Sequence, residues 1–386
     1  MKSNMAKFTL LIALGIVLSG CSSYPVQSTG NAFEDLYKRI DYREEGKYRV
    51  IDIFYASSRK IEEDKKGKLQ FTSKMGEETT TGLFDVKISP SLKIGKMLPK
   101  RFEKKKEIGI QSLKGLDGDA FIGALKDAVD ESPHKSLLVL VFGFKDDAEA
   151  VAIETAYFSY MLDVNTPVLL FDWPGDLGVS IGGYKKAQEN ARASGPYLGD
   201  LLAKIIRQVK PEKIWIQGSS LGCQVVCDAF SHMYKEADLA DDETEIAHLF
   251  MAAPDVGHDE FNDEFKKELL ALSDGCTTYI SSNDKALLMS AIINGEKRLG
   301  RQKFNHKKDE VEETKDMLYL KSLSPDKISL VDVTPINKAS YRHGYYLEDS
   351  EYFDDVYFRI FSKDRHANRR LYLLKYEDGE DYWVLK

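Results

Sequence analysis

Cysteine is scarce in this sequence, with four in 386 residues. That is too few for a disulfide framework, and their spacing has no zinc-ligand pattern. Excess positive charge is absent as well. Lys plus Arg number 54 against 62 Asp plus Glu, a formal net charge of -8. The chain therefore has no general electrostatic pull toward phosphate backbones, and nucleic acid is not an expected partner. There is no internal repeat. What is present, 43% hydrophobic and 30% charged residues, excludes a mainly disordered chain, a collagen and a polytopic membrane protein. The length allows one large domain or two ordinary ones.

The N-terminus reads as an export signal. Met1 to Lys7 carries Lys2 and Lys7 and no acid, and Phe8 to Leu18 is an apolar run of 11 residues. That is too short to span a bilayer but suits a signal-peptide core. It ends in Leu18-Ser19-Gly20-Cys21. Small residues before a cysteine resemble the bacterial lipobox. The resemblance implies cleavage before Cys21, diacylation of its thiol and a further acyl chain on the new amino terminus. Several acyl chains anchor stably where one is marginal. Ser22 follows the cysteine, which by the enterobacterial sorting rule favours the outer membrane. Ser22 to Asn31 is polar and reads as a tether. The expected location is the bacterial cell envelope, lipid-anchored and facing the periplasm.

The body alternates strands and helices. Strands are expected at Tyr48 to Tyr55, Leu83 to Ile88, Leu137 to Phe142, Val168 to Phe171, Lys213 to Gln217, His248 to Ala252, Thr277 to Ser281 and Ile328 to Val333. The continuous apolar run Leu137 to Phe142 suits a strand buried on both faces. Helices are expected at Asp146 to Leu162, Tyr184 to Val209 with a break at Gly195-Pro196, Leu221 to Tyr234, Asp259 to Leu272 and Lys285 to Ile293. The polar stretch Ser57 to Thr80 reads as a long loop. Strands separated by helices of this length imply βαβ units and a mostly parallel sheet. The tail reads as a helix from Ser350 to Phe361. A hairpin follows, Leu371 to Tyr376 and Tyr382 to Leu385, turning at Asp378-Gly379.

Chemistry centres on Gly218-Ser219-Ser220-Leu221-Gly222, a G-x-S-x-G. The pattern alone is weak, but it directly follows a predicted strand and precedes an apolar helix. A sharp strand-to-helix turn would lift Ser220 into an exposed position, with glycines allowing close backbone approach. The helix N-terminus supplies N–H donors and a positive dipole end, with the N–H of Leu221 as one oxyanion donor. The second donor is expected from the loop Phe142-Gly143-Phe144-Lys145, at the N–H of Phe144. A nucleophilic serine needs a base, and the base an orienting acid. His134 and His232 precede the expected acid, and His248 lies in a predicted strand. His258, His306, His343 and His366 remain, of which His306 and His366 sit in basic, solvated stretches. His343 lies ten residues past Val333, beside Gly344, where a loop can carry it over the nucleophile. Two acids compete, Asp284 and Asp255, each after a predicted strand. The order of elements favours Asp284, and Asp255 could instead cap the following helix.

At this point the sequence resembles a family of bacterial α/β hydrolases long catalogued as a domain of unknown function. Its pattern runs roughly F-Y-A-T-x-R, V-H-G-Y, W-P-S, H-S-M-G, A-P-D, N-D-x-A-L, R-L-G and a late His. The matching segments are Phe54 to Arg59, Val141 to Phe144, Trp173-Pro174-Gly175, Gly218 to Gly222, Ala253-Pro254-Asp255, Asn283 to Leu287, Arg298-Leu299-Gly300 and His343. The resemblance covers about residues 46 to 350. It implies the α/β-hydrolase fold, a mostly parallel central sheet flanked by helices, and a serine-hydrolase mechanism with no metal or organic cofactor. The expected organisation is a signal peptide over 1–20, a lipidated cysteine and tether over 21–45, a hydrolase domain over 46–350 and a C-terminal extension over 351–386. The expected substrate is a small-molecule or lipid ester, cleaved at a carboxylic ester or thioester. Two departures stand out. Phe142 and Ser219 replace histidines of the pattern, and Phe142 cannot brace the oxyanion loop by a side-chain hydrogen bond. This leaves open an alternative, a catalytically weak hydrolase fold serving as an envelope binding or assembly module. Trp173 and Pro174 either wall the pocket or pack. Cys223, Cys227 and Cys276 read as buried small hydrophobes.

Overall fold

A computed structural model describes residues 40–386 apart from 41, 64, 66–68, 93–106, 237, 240–245, 302–326, 362–370 and 376–380. The expected signal peptide, Cys21 and the tether lie outside the described residues, as do His306, His366 and the Asp378-Gly379 turn. Among the described residues, no helix is long and apolar enough to cross a membrane.

The strands are β1 (Arg43–Glu45), β2 (Tyr48–Glu63), β3 (Leu69–Ile88), β4 (Ile108–Leu116), β5 (Ser136–Val141), β6 (Val168–Asp172), β7 (Lys213–Ser219), β8 (Ile246–Ala252), β9 (Cys276–Ile280), β10 (Ile328–Asp332), β11 (Leu371–Lys375) and β12 (Asp381–Leu385). They form one sheet in the order β11-β12-β10-β9-β8-β7-β5-β6-β2-β3-β4, with β1 on β2. All pairs from β2 through β6, β5, β7, β8, β9 and β10 to β12 are parallel. β2–β3, β3–β4 and β11–β12 are antiparallel. Every residue of β5 is buried, as its unbroken apolar run requires when helices cover both faces of a parallel sheet.

The helices are α1 (Gly118–Glu131), α2 (Ala148–Leu162), α3 (Ile181–Gln208), α4 (Gly222–Met233), α5 (Lys266–Leu272), α6 (Lys285–Asn294) and α7 (Ser350–Phe361). The first turns preceding α5, from His258 to Phe265, include a π-helical stretch. Two clusters of buried side chains occupy the two faces of the sheet. The chain goes from β5 to β6 on one side and then back across β5 to β7. That reversal opens a crevice at the C-terminal ends of β5 and β7, where open α/β sheets bind ligands.

Three sequence expectations need correction. The stretch 57–80 is not a loop, because β2 and β3 run through it as a twisted ribbon paired from Arg49↔Ile88 to Glu63↔Leu69, with irregularities around Arg59. Beyond the buried Ser57, Ser58 and Arg59, its described residues are partly or fully exposed, and an extended two-stranded ribbon provides that exposure as well as a loop does. Helix α3 does not break at Gly195-Pro196. An interior proline costs about 3 kcal/mol, but the helix packs too closely on α4 to part there. A Cβ on Gly195 would lie 2.3 Å from Asp228 Cβ, and one on Gly199 would lie 2.9 Å from His232 Cδ2. β4 and α1 were not foreseen. α1 is capped by Asp117, whose carboxylate accepts from Ala120 N, and it buries Phe121, Ile122, Leu125 and Val129. The C-terminal hairpin continues the sheet through β12 on β10.

Candidate active site

The strand β7 ends at Ser219, and Ser220 turns the chain into α4 with φ at +51°. The left-handed conformation is strained for a residue with a Cβ, and it is held from three sides. Ser220 N donates to Ala252 O at 2.9 Å, and Ser220 O accepts from Cys223 N at 3.1 Å and Asp255 N at 3.0 Å. Close approach explains the flanking glycines. A Cβ on Gly222 would lie 2.3 Å from Val141 O, and one on Gly218 3.3 Å from Cys223 Cα. Gly143 meets the same requirement from β5, since a Cβ there would lie 2.7 Å from Ser220 Cβ and 3.2 Å from Ser220 Oγ.

Ser220, Asp284 and His343 come together although 64 and 59 residues separate them in turn. Ser220 Oγ lies 2.8 Å from His343 Nε2, and His343 Nδ1 lies 2.7 Å from Asp284 Oδ2. Asp284 is fully buried, Ser220 is 7% exposed, and the His343 side chain is 18% exposed. Burial disfavours the His343 imidazolium, but the Asp284 carboxylate and its hydrogen bond outweigh this and raise the pKa above its ordinary value. Asp284 has a second task. Its Oδ1 accepts from Leu287 N at 2.8 Å and caps α6, so the carboxylate is fixed in rotamer before His343 meets it.

The competing carboxylate is engaged elsewhere. Asp255 is buried, and its oxygens accept from Arg298 Nε at 2.7 Å, Ser290 Oγ at 2.6 Å and Tyr184 O–H at 2.7 Å. Arg298 Nη2 also donates to Asp255 O at 2.8 Å. Asp255 does not cap the following helix, where the residue preceding the first turn is Gly257. It is the counter-ion of a buried arginine, a role with no local sequence signal because Arg298 lies 43 residues away.

The family described as alpha/beta hydrolase of unknown function (DUF900) matches residues 118–357. The chain belongs to this family. A search of the curated proteins finds no match.

In this α/β hydrolase the loop after β5 is braced without a histidine. Trp173 Nε1 donates to Phe142 O at 2.8 Å, and Lys145 N donates to Gly175 O at 3.1 Å. Trp173, buried beneath that loop, thus does more than pack, and the brace was missed because its donor lies on a different strand end. The N–H groups of Phe144 and Leu221 have no hydrogen-bond partner among the described residues. Asn337 was missed as well. It donates to Arg342 O at 2.6 Å and Ser281 Oγ at 2.8 Å, tying the loop that carries His343 to the end of β9. Tyr341 and Arg342, just before His343, both have positive φ, backbone strain of the kind that clusters at functional sites. Arg59, 1% exposed, forms a two-oxygen ion pair with Asp172 at 3.0 and 2.9 Å and also pairs with Asp176. It locks the β2–β3 ribbon to the end of β6 and the Trp173 loop. Cys223, Cys227 and Cys276 are buried and unpaired by disulfides. Burial pushes all three thiols up, which suppresses the reactive thiolate.

Proposed function

We propose that the protein is a serine hydrolase of carboxylic esters or thioesters. The observation that carries the reading is the continuous hydrogen-bonded run Ser220 Oγ, His343, Asp284, with Ser220 on a strained turn. Ser220 Oγ attacks the acyl carbonyl while His343 Nε2 takes its proton. Asp284 keeps the Nδ1–H tautomer and stabilises the imidazolium. The N–H groups of Phe144 and Leu221 are assigned to the oxyanion, a contribution worth roughly 3 kcal/mol per donor. His343 then protonates the departing alkoxide or thiolate. Water, deprotonated by the same imidazole, releases the acid and restores Ser220. Catalysis needs His343 neutral, so its raised pKa places the acid limb of activity above the ordinary histidine value.

The Trp173 brace favours the enzyme reading over an inert binding module, since it supplies the support that Phe142 cannot. We further propose that the chain is acylated at Cys21 and held in the bacterial envelope with this domain in the periplasm, on the strength of the lipobox-like Leu18 to Cys21. A fluorophosphonate probe on the purified protein tests the central claim. Labelling abolished by Ser220→Ala supports it, and an unlabelled wild type that is folded and soluble refutes it.

A further inference from the structure

Of the seven large hydrophobic side chains that stand exposed on the described residues, six belong to three neighbouring elements. Val179 and Ile181 flank the start of α3. Leu288, Met289 and Ile292 share one face of α6, and Tyr341 lies in the short 3-10 turn ahead of His343. Their exposure runs from 39% for Leu288 to 85% for Val179. All three elements meet at the Ser220 site. Asp284 caps α6 and bonds His343, Tyr184 of α3 is hydrogen-bonded to Ser290 of α6, and the 3-10 turn packs against α6. The seventh, Phe361, is elsewhere. It contacts His134 and Trp215, at the N-terminal ends of β5 and β7, on the opposite edge of the sheet.

An apolar rim confined to the mouth of one site is what a docking surface requires, since scattered single exposures are ordinary and clustered ones are not. The chain is acidic overall, with a net charge of -8, so charge attraction to an anionic surface does not explain it. We propose that this rim docks on a phospholipid bilayer, and that the substrate is a long-chain acyl ester taken from that bilayer. The substrate half of the proposal rests on the serine-hydrolase reading above.

Chain length permits the geometry. Ile40, the first described residue, donates its N–H to Asp163 at the end of α2, on the N-terminal edge of the sheet. Residues 22–39, 18 in number, separate it from Cys21 and reach at most about 60 Å. The strands between the two edges, β5 to β9, have 5 to 7 residues, about 17–23 Å. An anchor at Cys21 therefore leaves enough chain for the rim to meet the same bilayer.

The test reads which edge touches lipid. Trp173, Trp215 and Trp383 are buried, so a tryptophan introduced at an exposed site is the one that acyl-chain bromine can reach. The full chain carrying Ile292→Trp or Phe361→Trp is mixed with phosphatidylcholine vesicles containing brominated acyl chains. The expected result is a blue shift and strong quenching for Ile292→Trp, persisting at high salt, with Phe361→Trp unquenched. Absence of quenching at Ile292→Trp overturns the proposal, as does equal quenching at both positions. A blue shift before vesicles are added, together with doubled mass in solution, also overturns it and assigns the rim to a second copy of the chain. Met289→Ser/Ile292→Ser is expected to lower the ratio of vesicle-borne to soluble ester turnover by about tenfold or more, since each lost aliphatic contact weakens partitioning on that scale. An unchanged ratio refutes the substrate assignment. The quenching needs no turnover, so an inactive Ser220 would fail the hydrolase reading while leaving the docking result readable.

Discussion

The two buried aspartates near Ser220 should respond to the same chemical change in opposite ways. In Asp284→Asn the isosteric amide can still accept from Leu287 N and cap α6, so the helix keeps its start. Its other end is then the NH2 group, which can only donate to His343 Nδ1, favouring the tautomer with Nε2 protonated and unable to accept from Ser220. A comparable change in a serine protease lowers kcat about 10⁴-fold, and a loss of that order is expected here. The acid limb of kcat/KM should also move to lower pH, because Asp284 is what lifts the His343 pKa against burial. The stability term has a defined sign. A raised folded pKa contributes stability fully below the unfolded value of about 6.5 and loses it as pH rises through the folded one. The melting difference between wild type and Asp284→Asn should therefore narrow with rising pH across that window. Asp255→Asn removes the nearer and buried charge partner of Arg298, whose side chain is 3% exposed and keeps only Glu296 at 3.5 Å. Breaking a buried pair on one side costs about 3–5 kcal/mol, or on the order of 5 °C in melting temperature for a chain of this size, with kcat far less affected than in Asp284→Asn. Stopped-assay kinetics and thermal melts on both variants decide the matter. Near-normal kcat in Asp284→Asn, or a 10⁴-fold loss in Asp255→Asn with an unchanged melt, would refute the reasoning.

Other outcomes follow from single contacts. Ser220→Ala should abolish turnover and probe labelling with a melting temperature within about 1 °C of wild type, because it removes one hydroxyl without creating a cavity. Circular dichroism and labelling check this together. In Gly143→Ala the new methyl would lie 2.7 Å from Ser220 Cβ, so the loop carrying the Phe144 N–H must retreat, and kcat should fall by about 10² or more while KM moves little. Trp173→Phe keeps one six-membered ring but removes the indole N–H that donates to Phe142 O and leaves a gap at a buried site. It should cost at least about 1 kcal/mol of stability, from the lost hydrogen bond and the cavity together, and lower kcat measurably, and equal kcat would show that the brace is dispensable. Cys21→Ser should leave an unprocessed or unacylated product, read by intact mass and membrane fractionation. Unchanged mass would exclude acylation at that residue.

Much of the parallel sheet was legible because it is written locally. Leu137 to Val141 is apolar without interruption since both faces are covered, and Gly218 to Gly222 shows the small residues that a tight strand-to-helix turn demands. The order of Ser220, Asp284 and His343 along the chain, the first two just past a strand and the third in the loop after β10, was equally visible, as was the family resemblance. Local composition misled where it reports exposure rather than backbone shape. The polar residues of 57–80 looked like a loop, yet they pair as β2 and β3. Gly195-Pro196 looked like a helix end, yet the cost of the proline is outweighed by packing on α4. Only tertiary structure decided the assignments that depend on partners far apart in sequence. Asp255 and Asp284 each sit just past the end of a strand, and no local pattern says which one has a buried arginine beside it and which one reaches His343. The Trp173 brace on Phe142 O, the Asn337 tie beneath the histidine loop and the apolar rim formed from α3, α6 and the turn at Tyr341 belong to the same class. A hydrogen bond or an exposed face exists only once separate elements are packed, so its partners cannot be read until the fold has brought them within a few ångströms.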